Sequence, residues 1–338
     1  MTTMNSTAVP TNIITGFLGT GKTSSILHLL AAKPDDERWA ILVNEFGEIG
    51  VDGSLFWGNH SQESGVFIRE VPGGCMCCAS GFPIQVALNQ LLTRAKPDRL
   101  LIEPTGLGHP VEVLELLNAD HYQGVLDIEK VITLVDARKL SDERYTSHET
   151  FNQQIAIADV VVGNKQDLYG SEDKQALQAY VDRVAHHAPQ LLFTEHGKLS
   201  VELLAGQTAA IKAENHDHDH DHDHNHDHAD ETLSLSEQPL PASGFIQALN
   251  EGEGFKSIGW RFSPETVFNR KQLCVLFSSL DVERMKAVFI TDEGIFSYNL
   301  TPDTLTEQVL DEVIESRIEI IAADIEPHWQ RELFACQQ

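Results

Sequence analysis

A phosphate-binding loop near the N-terminus constrains this chain more than any other feature. Residues Gly16 to Thr23 read Gly-Phe-Leu-Gly-Thr-Gly-Lys-Thr, which matches the pattern G-x-x-x-x-G-K-[ST]. An apolar segment precedes the loop and the helix-forming run Ser-Ser-Ile-Leu-His-Leu-Leu follows it, so the motif has the strand-loop-helix setting that it requires. The sequence therefore predicts a P-loop nucleotide-binding fold instead of an ordinary glycine-rich turn.

Each residue type in the loop has a chemical reason to be there. The glycines allow backbone N–H groups to close around β- and γ-phosphates at a helix N-terminus, Lys22 adds a positive charge, and Thr23 offers an oxygen to Mg²⁺. The residues expected to hold the nucleotide here are Gly16, Gly19, Thr20, Gly21, Lys22 and Thr23.

A second candidate residue follows the apolar run at residues 99–102. The run ends in Glu103-Pro-Thr-Gly, which places a carboxylate at the end of a predicted buried strand. In a P-loop fold such an acid reaches the Mg²⁺ shell from the carboxyl edge of the sheet. Lys22, Thr23 and Glu103 are therefore the candidate catalytic residues.

A tetrapeptide after another apolar strand favours GTP over ATP. Residues 159–162 lead through Gly163 to Asn164-Lys165-Gln166-Asp167, an N-K-x-D motif. A carboxylate such as that of Asp167 accepts two hydrogen bonds from the N1–H and amino group of guanine, a pair that adenine does not offer. The motif also disfavours an unrelated P-loop kinase.

Three of the five cysteines are clustered. Cys75, Cys77 and Cys78 follow Gly73-Gly74 directly after a predicted strand, and they are too crowded for a disulfide framework. Three thiolates in four residues suit Zn²⁺ or Cu⁺. They do not complete a tetrahedral site, so a fourth position is open to Glu45, a histidine, water or the nucleotide.

The loop between the phosphate-binding motif and the cysteines is polar. It reads Asn-Glu-Phe-Gly-Glu-Ile-Gly-Val-Asp over residues 44–52. This is the position in the chain at which GTPases have a switch segment that senses the γ-phosphate. Asp52 could face Mg²⁺ and Glu45 the thiolate-bound metal, or both could be solvated loop acids.

A histidine tract interrupts the chain after its first two thirds. Residues 216–228 alternate His with Asp apart from one Asn, a composition that cannot form a core and that is typical of a solvated linker. Neutral imidazoles spaced in this way can also bind divalent metal ions weakly and in many registers. The candidate ligands are His216, His218, His220, His222, His224, His226 and His228.

The hydrophobic pattern predicts two folded regions around this tract. Before it, short continuous apolar runs alternate with helical segments, which indicates a mostly parallel sheet flanked by helices, an α/β P-loop NTPase domain. After it, strands are predicted at residues 255–262, 284–290, 294–300 and 317–321, with one helix from about residue 265 to 280 and a short one near residues 327–334. These segments predict a small α+β domain. We expect domains at residues 1–210 and 246–338, with a flexible His/Asp-rich linker at residues 211–245.

The net charge of the chain limits the kinds of partner that it can bind. With 24 Lys and Arg against 51 Asp and Glu, the net charge of −27 would repel nucleic acids and acidic membranes. No apolar run is long enough to span a membrane, and the N-terminus does not read as a signal peptide. We expect a cytoplasmic protein.

The order of these motifs resembles the CobW-type metallochaperone GTPases. The similarity lies in the P-loop, Asn-Glu-Phe-Gly-Glu-Ile-Gly-Val-Asp, Gly-Gly-Cys-Met-Cys-Cys, Leu-Ile-Glu-Pro-Thr-Gly-Leu-Gly-His-Pro and Asn-Lys-x-Asp. The resemblance implies a GTPase with GTP, Mg²⁺ and Zn²⁺ as ligands. Carried over by position, Lys22, Thr23 and Glu103 serve phosphate and Mg²⁺, the cysteines with Glu45 serve zinc, and Asn164, Lys165 and Asp167 serve the guanine.

Two functions are consistent with this resemblance. In the first, GTP hydrolysis drives a zinc chaperone or insertase that delivers zinc to client metalloproteins. In the second, the chain stores or buffers zinc and GTP regulates its affinity. Self-association that depends on metal is a further expectation.

Overall fold

The computed structural model describes residues 8–44, 65–71, 82–210, 238–252, 254–302 and 304–338. Within these ranges the chain forms two sheets, one on each side of the histidine tract. None of the described helices has the length and apolar character needed to cross a membrane.

The first sheet is entirely parallel and has the order β3-β2-β4-β1-β5-β6-β7 in the described residues. Its strands are β1 (Val9–Gly16), β2 (Trp39–Asn44), β3 (Val66–Val71), β4 (Arg99–Glu103), β5 (Leu126–Val135), β6 (Val160–Gly163) and β7 (Gln190–Phe193). Its helices are α1 (Lys22–Ala31), α2 (Phe82–Ala95), α3 (Pro110–Leu117), α4 (Glu143–Thr146), α5 (Glu149–Ala156) and α6 (Asp173–Val184).

The central strands of this sheet are continuously apolar because helices cover both of its faces. Residues 39–43 of β2 and 160–162 of β6 are fully buried, as expected of strands with helices on either side. One face packs against α2 and α3, and the other packs against α1. The predicted α/β P-loop fold is confirmed.

The second sheet is antiparallel, with the order β12-β11-β10-β13-β9-β8. Its strands are β8 (Phe245–Gly252), β9 (Phe255–Phe262), β10 (Arg284–Thr291), β11 (Gly294–Thr301), β12 (Thr304–Leu310) and β13 (Ser316–Ala322). Two helices, α7 (Arg270–Ser279) and α8 (Trp329–Ala335), cover one face and share its aromatic core. The predicted α+β character of this region is confirmed.

The sequence pattern missed the two edge strands of this sheet. β12 is largely exposed, so it lacks the apolar run that marks a buried strand, and β8 pairs with one neighbour only. The pattern also predicted a helix from about residue 265, whereas α7 begins at Arg270. Asn269 caps it by accepting a hydrogen bond from the backbone N–H of Gln272 at 3.0 Å.

A substitution at Phe289 tests how much the aromatic core of the antiparallel sheet contributes to stability. Its ring is fully buried and lies 4.6 Å, centroid to centroid, from the ring of Phe268. We expect Phe289→Ala to lower the free energy of unfolding by about 3–5 kcal/mol because it leaves a cavity among aromatic rings. Chemical denaturation measures this loss. Val309→Ala, at a side chain 68% exposed in the same sheet, should change it by less than about 0.5 kcal/mol.

Candidate functional site

The P-loop joins β1 to α1 at the carboxyl edge of the parallel sheet. Its three glycines have positive φ angles of 143° at Gly16, 69° at Gly19 and 99° at Gly21. A Cβ atom at Gly16 would overlap the carbonyl oxygen of Leu134, and one at Gly21 would overlap the side-chain amide of Asn164. Backbone conformation therefore favours glycine at all three positions, and the close approach of neighbouring residues also requires it at Gly16 and Gly21.

Lys22 lies inside this loop. Its side chain is 5% exposed, and its ammonium group donates hydrogen bonds to the carbonyl oxygens of Gly16 at 2.8 Å and Phe17 at 3.2 Å. Burial, with the positive charge of Arg284, lowers the pKa of Lys22 to about 7, and the negative charge of Glu103 opposes this effect. An anion in the loop would favour the charged ammonium, so the position suits a phosphate.

Thr23 and Glu103 meet at the same edge. The Thr23 hydroxyl donates to Oε1 of Glu103 at 2.9 Å, and the Glu103 carboxylate, at the end of β4, is 1% exposed. β4 is paired directly with β1, which brings the acid beside the first turn of α1. Hydroxyl and carboxylate oxygens are ligands that Mg²⁺ prefers, so this pair fits a magnesium ion.

Asn164 connects the P-loop to a second loop. Its amide nitrogen donates to the carbonyl oxygen of Thr20 at 2.8 Å, and its amide oxygen accepts from the backbone N–H of Gly197 at 3.1 Å. The side chain is 2% exposed. Gly197 in turn lies against α1, because a Cβ there would come within 2.8 Å of the Ser25 nitrogen. The amide of Asn164 thus links the P-loop to the loop that contains Gly197, which packs against α1.

Lys165 and Asp167 complete the N-K-x-D segment. Lys165 has a left-handed backbone with φ 61°, and its ammonium lies 3.4 Å from Asp136, a buried carboxylate at the end of β5. Asp167 is exposed, and its carboxylate lies within 4.8 Å of possible ligand atoms of Glu195 and His196. The Asp167 carboxylate is thus accessible to the edge of a base, three residues after the Asn164 that contacts the P-loop.

The C-terminal sheet also reaches the P-loop, which the sequence did not predict. Lys286 on β10 donates to the Thr23 hydroxyl at 2.9 Å, and the ring of Phe255 lies 6.3 Å from that of Phe17. The only signal in the sequence is that Arg284 and Lys286 alternate with buried apolar residues, which places them on one face of a strand. That pattern does not say what the face meets.

The remaining predicted ligands lie outside the described residues. The structure therefore brings together the P-loop, Thr23, Glu103 and Asn164, while the zinc ligands and Asp52 remain predictions. Those outside the described ranges are Glu45, Asp52, Cys75, Cys77, Cys78, His216, His218, His220, His222, His224, His226 and His228.

Comparison with known proteins gives consistent matches. The zinc chaperone YeiR of Escherichia coli K12 is 42% identical over 328 residues, and the match covers 94% of each chain. The zinc chaperone CobW of Sinorhizobium is 28% identical over 225 residues, covering 60% of this chain and 63% of that one. The crystal structure of Zn(II)-bound YjiA GTPase from E. coli has a TM-score of 0.44 and 18% identity, covering 98% of this chain and 99% of that one.

The family assignment rests on the nucleotide-binding region. Residues 10–192 match the family described as CobW/HypB/UreG, nucleotide-binding domain, which is more than half of the chain. This range contains the P-loop, Glu103 and the N-K-x-D segment. The chain therefore belongs to the CobW/HypB/UreG family of P-loop GTPases.

Proposed function

We propose that this GTPase requires Mg²⁺, binds Zn²⁺ through Cys75, Cys77 and Cys78, and delivers the zinc to client metalloproteins in a way that depends on its nucleotide. One observation carries the proposal. The Thr23 hydroxyl and Glu103 carboxylate meet at 2.9 Å at the edge of the sheet where β3 ends, four residues before the first of these cysteines. Relatives named zinc chaperones support the identity of the metal.

The nucleotide half of the proposal uses the P-loop geometry. Lys22 already donates to the loop's own carbonyl oxygens, and it would exchange them for phosphate oxygens when a nucleotide binds. Mg²⁺ held by Thr23 and Glu103 would neutralise charge on the phosphates, which is the chemistry that the ion supplies. The protein's part is to fix these oxygens and to position the phosphate chain.

The zinc half follows from strand order. β3 is separated from β4 only by β2, so the ends of β3 and β4 lie about 10 Å apart. Four residues of chain reach at most about 14 Å beyond Val71. The length of this connection therefore allows the cysteines to lie near Glu103, and three soft thiolates favour Zn²⁺ over Mg²⁺.

Coupling between the two metals follows from the same placement. The segment of residues 44–52 begins where β2 ends, between the ends of β3 and β4. If GTP with Mg²⁺ orders this segment, Glu45 can complete or disturb the zinc site. Linkage is reciprocal, so GTP must alter zinc affinity by the same factor as zinc alters GTP affinity.

Asn164→Asp tests the loop connection. The carboxylate has nearly the same shape but places an anionic oxygen against the Thr20 carbonyl, where the amide donated a hydrogen bond. We expect GTP and GDP to bind about 10 to 100 times more weakly, a loss of about 1.4–3 kcal/mol. Fluorescent nucleotide titration measures it. Asn118→Asp, at an exposed site beyond α3, serves as the matched control, and equal affinities in the two variants would contradict the proposed role.

Asp167→Asn tests recognition of the base. The variant should lose affinity for GTP and gain affinity for xanthosine triphosphate, because the C2 oxygen of xanthine accepts a hydrogen bond where guanine donates one. Competition titrations with the two triphosphates distinguish this change from a general loss of binding. Asn164→Asp should weaken both triphosphates alike. Unchanged GTP affinity in Asp167→Asn would exclude the proposed contact.

Zinc affinity in different nucleotide states tests the chaperone function. We expect the zinc dissociation constants of the GTP and GDP forms to differ by about 5-fold to 150-fold, the usual range for coupled sites. Titration against a competing chelator measures both constants. Cys77→Ser should remove the tight zinc site and the effect of zinc on GTP binding, while metal-free GTP binding stays unchanged, since a hydroxyl is a poor ligand for Zn²⁺.

A deletion distinguishes zinc binding by the histidine tract from zinc binding by the cysteines. Removing residues 216–228 should take away only weak zinc equivalents and leave both the tight site and GTP hydrolysis intact, because a solvated linker supports neither core. If zinc binds equally tightly to the GTP and GDP forms, the coupled chaperone is wrong. The chain is then better described as a zinc store.

A further inference from the structure

The C-terminal sheet places a buried cation against the nucleotide site. Lys286, on β10, has 7% of its surface exposed, and its ammonium donates to the Thr23 hydroxyl at 2.9 Å. Next to it on the paired strand β13 lies Glu319, which is also buried. Burying a charged group costs free energy unless surrounding polar groups offset the lost hydration. The buried position of Lys286 therefore depends on its polar partners at this interface.

The hydroxyl that Lys286 contacts is the proposed magnesium ligand. Thr23 donates its own proton to Glu103, and it accepts the proton of Lys286 on a lone pair of the same oxygen. In P-loop enzymes this oxygen and the acid at the end of the neighbouring strand hold the metal ion. Lys286 therefore makes, from the other domain, a contact that a magnesium ion would also make.

Two cations cannot share this place without cost. Mg²⁺ binds oxygen at about 2.0–2.1 Å and demands near-octahedral geometry. An ammonium 2.9 Å from the same oxygen would lie beside the ion and repel it, and the burial of Lys286 and Glu103 reduces the screening of this repulsion. The Lys286 side chain has room to move, because it lines a cavity of about 300 Å³ together with Thr23, Leu27 and Glu307.

We propose that Lys286 is a competing cation, which must leave the Thr23 hydroxyl when Mg²⁺ binds with the nucleotide. The C-terminal sheet then loses a polar contact to the P-loop in the magnesium-bound form and regains it when the ion leaves. This gives the C-terminal domain a direct means of sensing the nucleotide site. The inference adds a residue of the C-terminal sheet to a magnesium site whose two proposed ligands, Thr23 and Glu103, come from the first domain.

The test measures Mg²⁺ binding without zinc and without hydrolysis. A fluorescent GDP analogue is bound to the protein, and its dissociation rate is followed as free Mg²⁺ is varied with a chelator buffer. Lys286→Met keeps the aliphatic chain and removes the charge. We expect it to lower the Mg²⁺ concentration at half effect by about tenfold, because the competing cation is gone.

Two further variants guard against loss of folding and non-specific charge effects. The double variant Lys286→Met with Glu319→Gln also removes the neighbouring buried charge and should show the same tenfold shift. Lys271→Met removes one positive charge from a lysine 85% exposed on α7, and it should behave as the wild type. An unchanged or higher Mg²⁺ requirement in both Lys286 variants would overturn the proposal.

The magnesium site and the competition can fail separately. Thr23→Ala removes the shared oxygen, so it should raise the Mg²⁺ requirement whatever Lys286 does. If Thr23→Ala has no effect, the proposed magnesium site is wrong and the competition falls with it. If Thr23→Ala raises the requirement while the Lys286 variants leave it unchanged, only the competition is wrong.

Discussion

The pairing of β1 between β4 and β5 determines where the P-loop and its neighbouring acidic residues lie. Parallel strands end at one edge, so the P-loop after β1, Glu103 at the end of β4 and Asp136 after β5 are brought together by backbone hydrogen bonds alone. β6 extends the row and delivers Asn164 to the same edge. The site is therefore fixed by the register of the most buried part of the chain.

Buried polar groups hold the loops at this edge in place. Asn164 uses its donor on the P-loop and its acceptor on the loop after β7, while Lys22 donates to two carbonyl oxygens of its own loop. Each of these contacts is costly to leave unmade in a buried position, so the loops favour a single arrangement. A phosphate would enter a site whose donors are already oriented, which reduces the ordering needed on binding.

The sequence predicted the first region well because its signals are local. The strands of the parallel sheet showed as continuous apolar runs, and the P-loop, Glu103 and N-K-x-D stand at the ends of three of them. β12 was missed because it is largely exposed and its polar residues do not differ from those of a loop, and β8 was missed because it begins at Phe245, where the predicted linker ends. The cap at Asn269 shortened a helix that the apolar pattern extended.

The role of Lys286 could not be predicted for a different reason. It meets Thr23 from 263 positions along the chain, across an interface between two separately patterned sheets. Alternation along β10 assigns Arg284 and Lys286 to one face, but the partner of that face depends on how the sheets meet. A short-range pattern carries no information on such a contact.

Positive side chains are concentrated around the P-loop although the protein as a whole is acidic. The whole chain carries a net charge of −27, yet Lys22, Arg284 and Lys286 converge around the P-loop. Screening limits the surrounding negative field to about 8 Å at physiological salt, whereas the two buried lysines, Lys22 and Lys286, would act on a bound phosphate with little screening. A nucleotide is thus attracted at short range by a protein whose outer surface repels polyanions. Two of these three cations lie on the C-terminal strand β10, so the local field on the phosphates depends on how closely this strand approaches the loop.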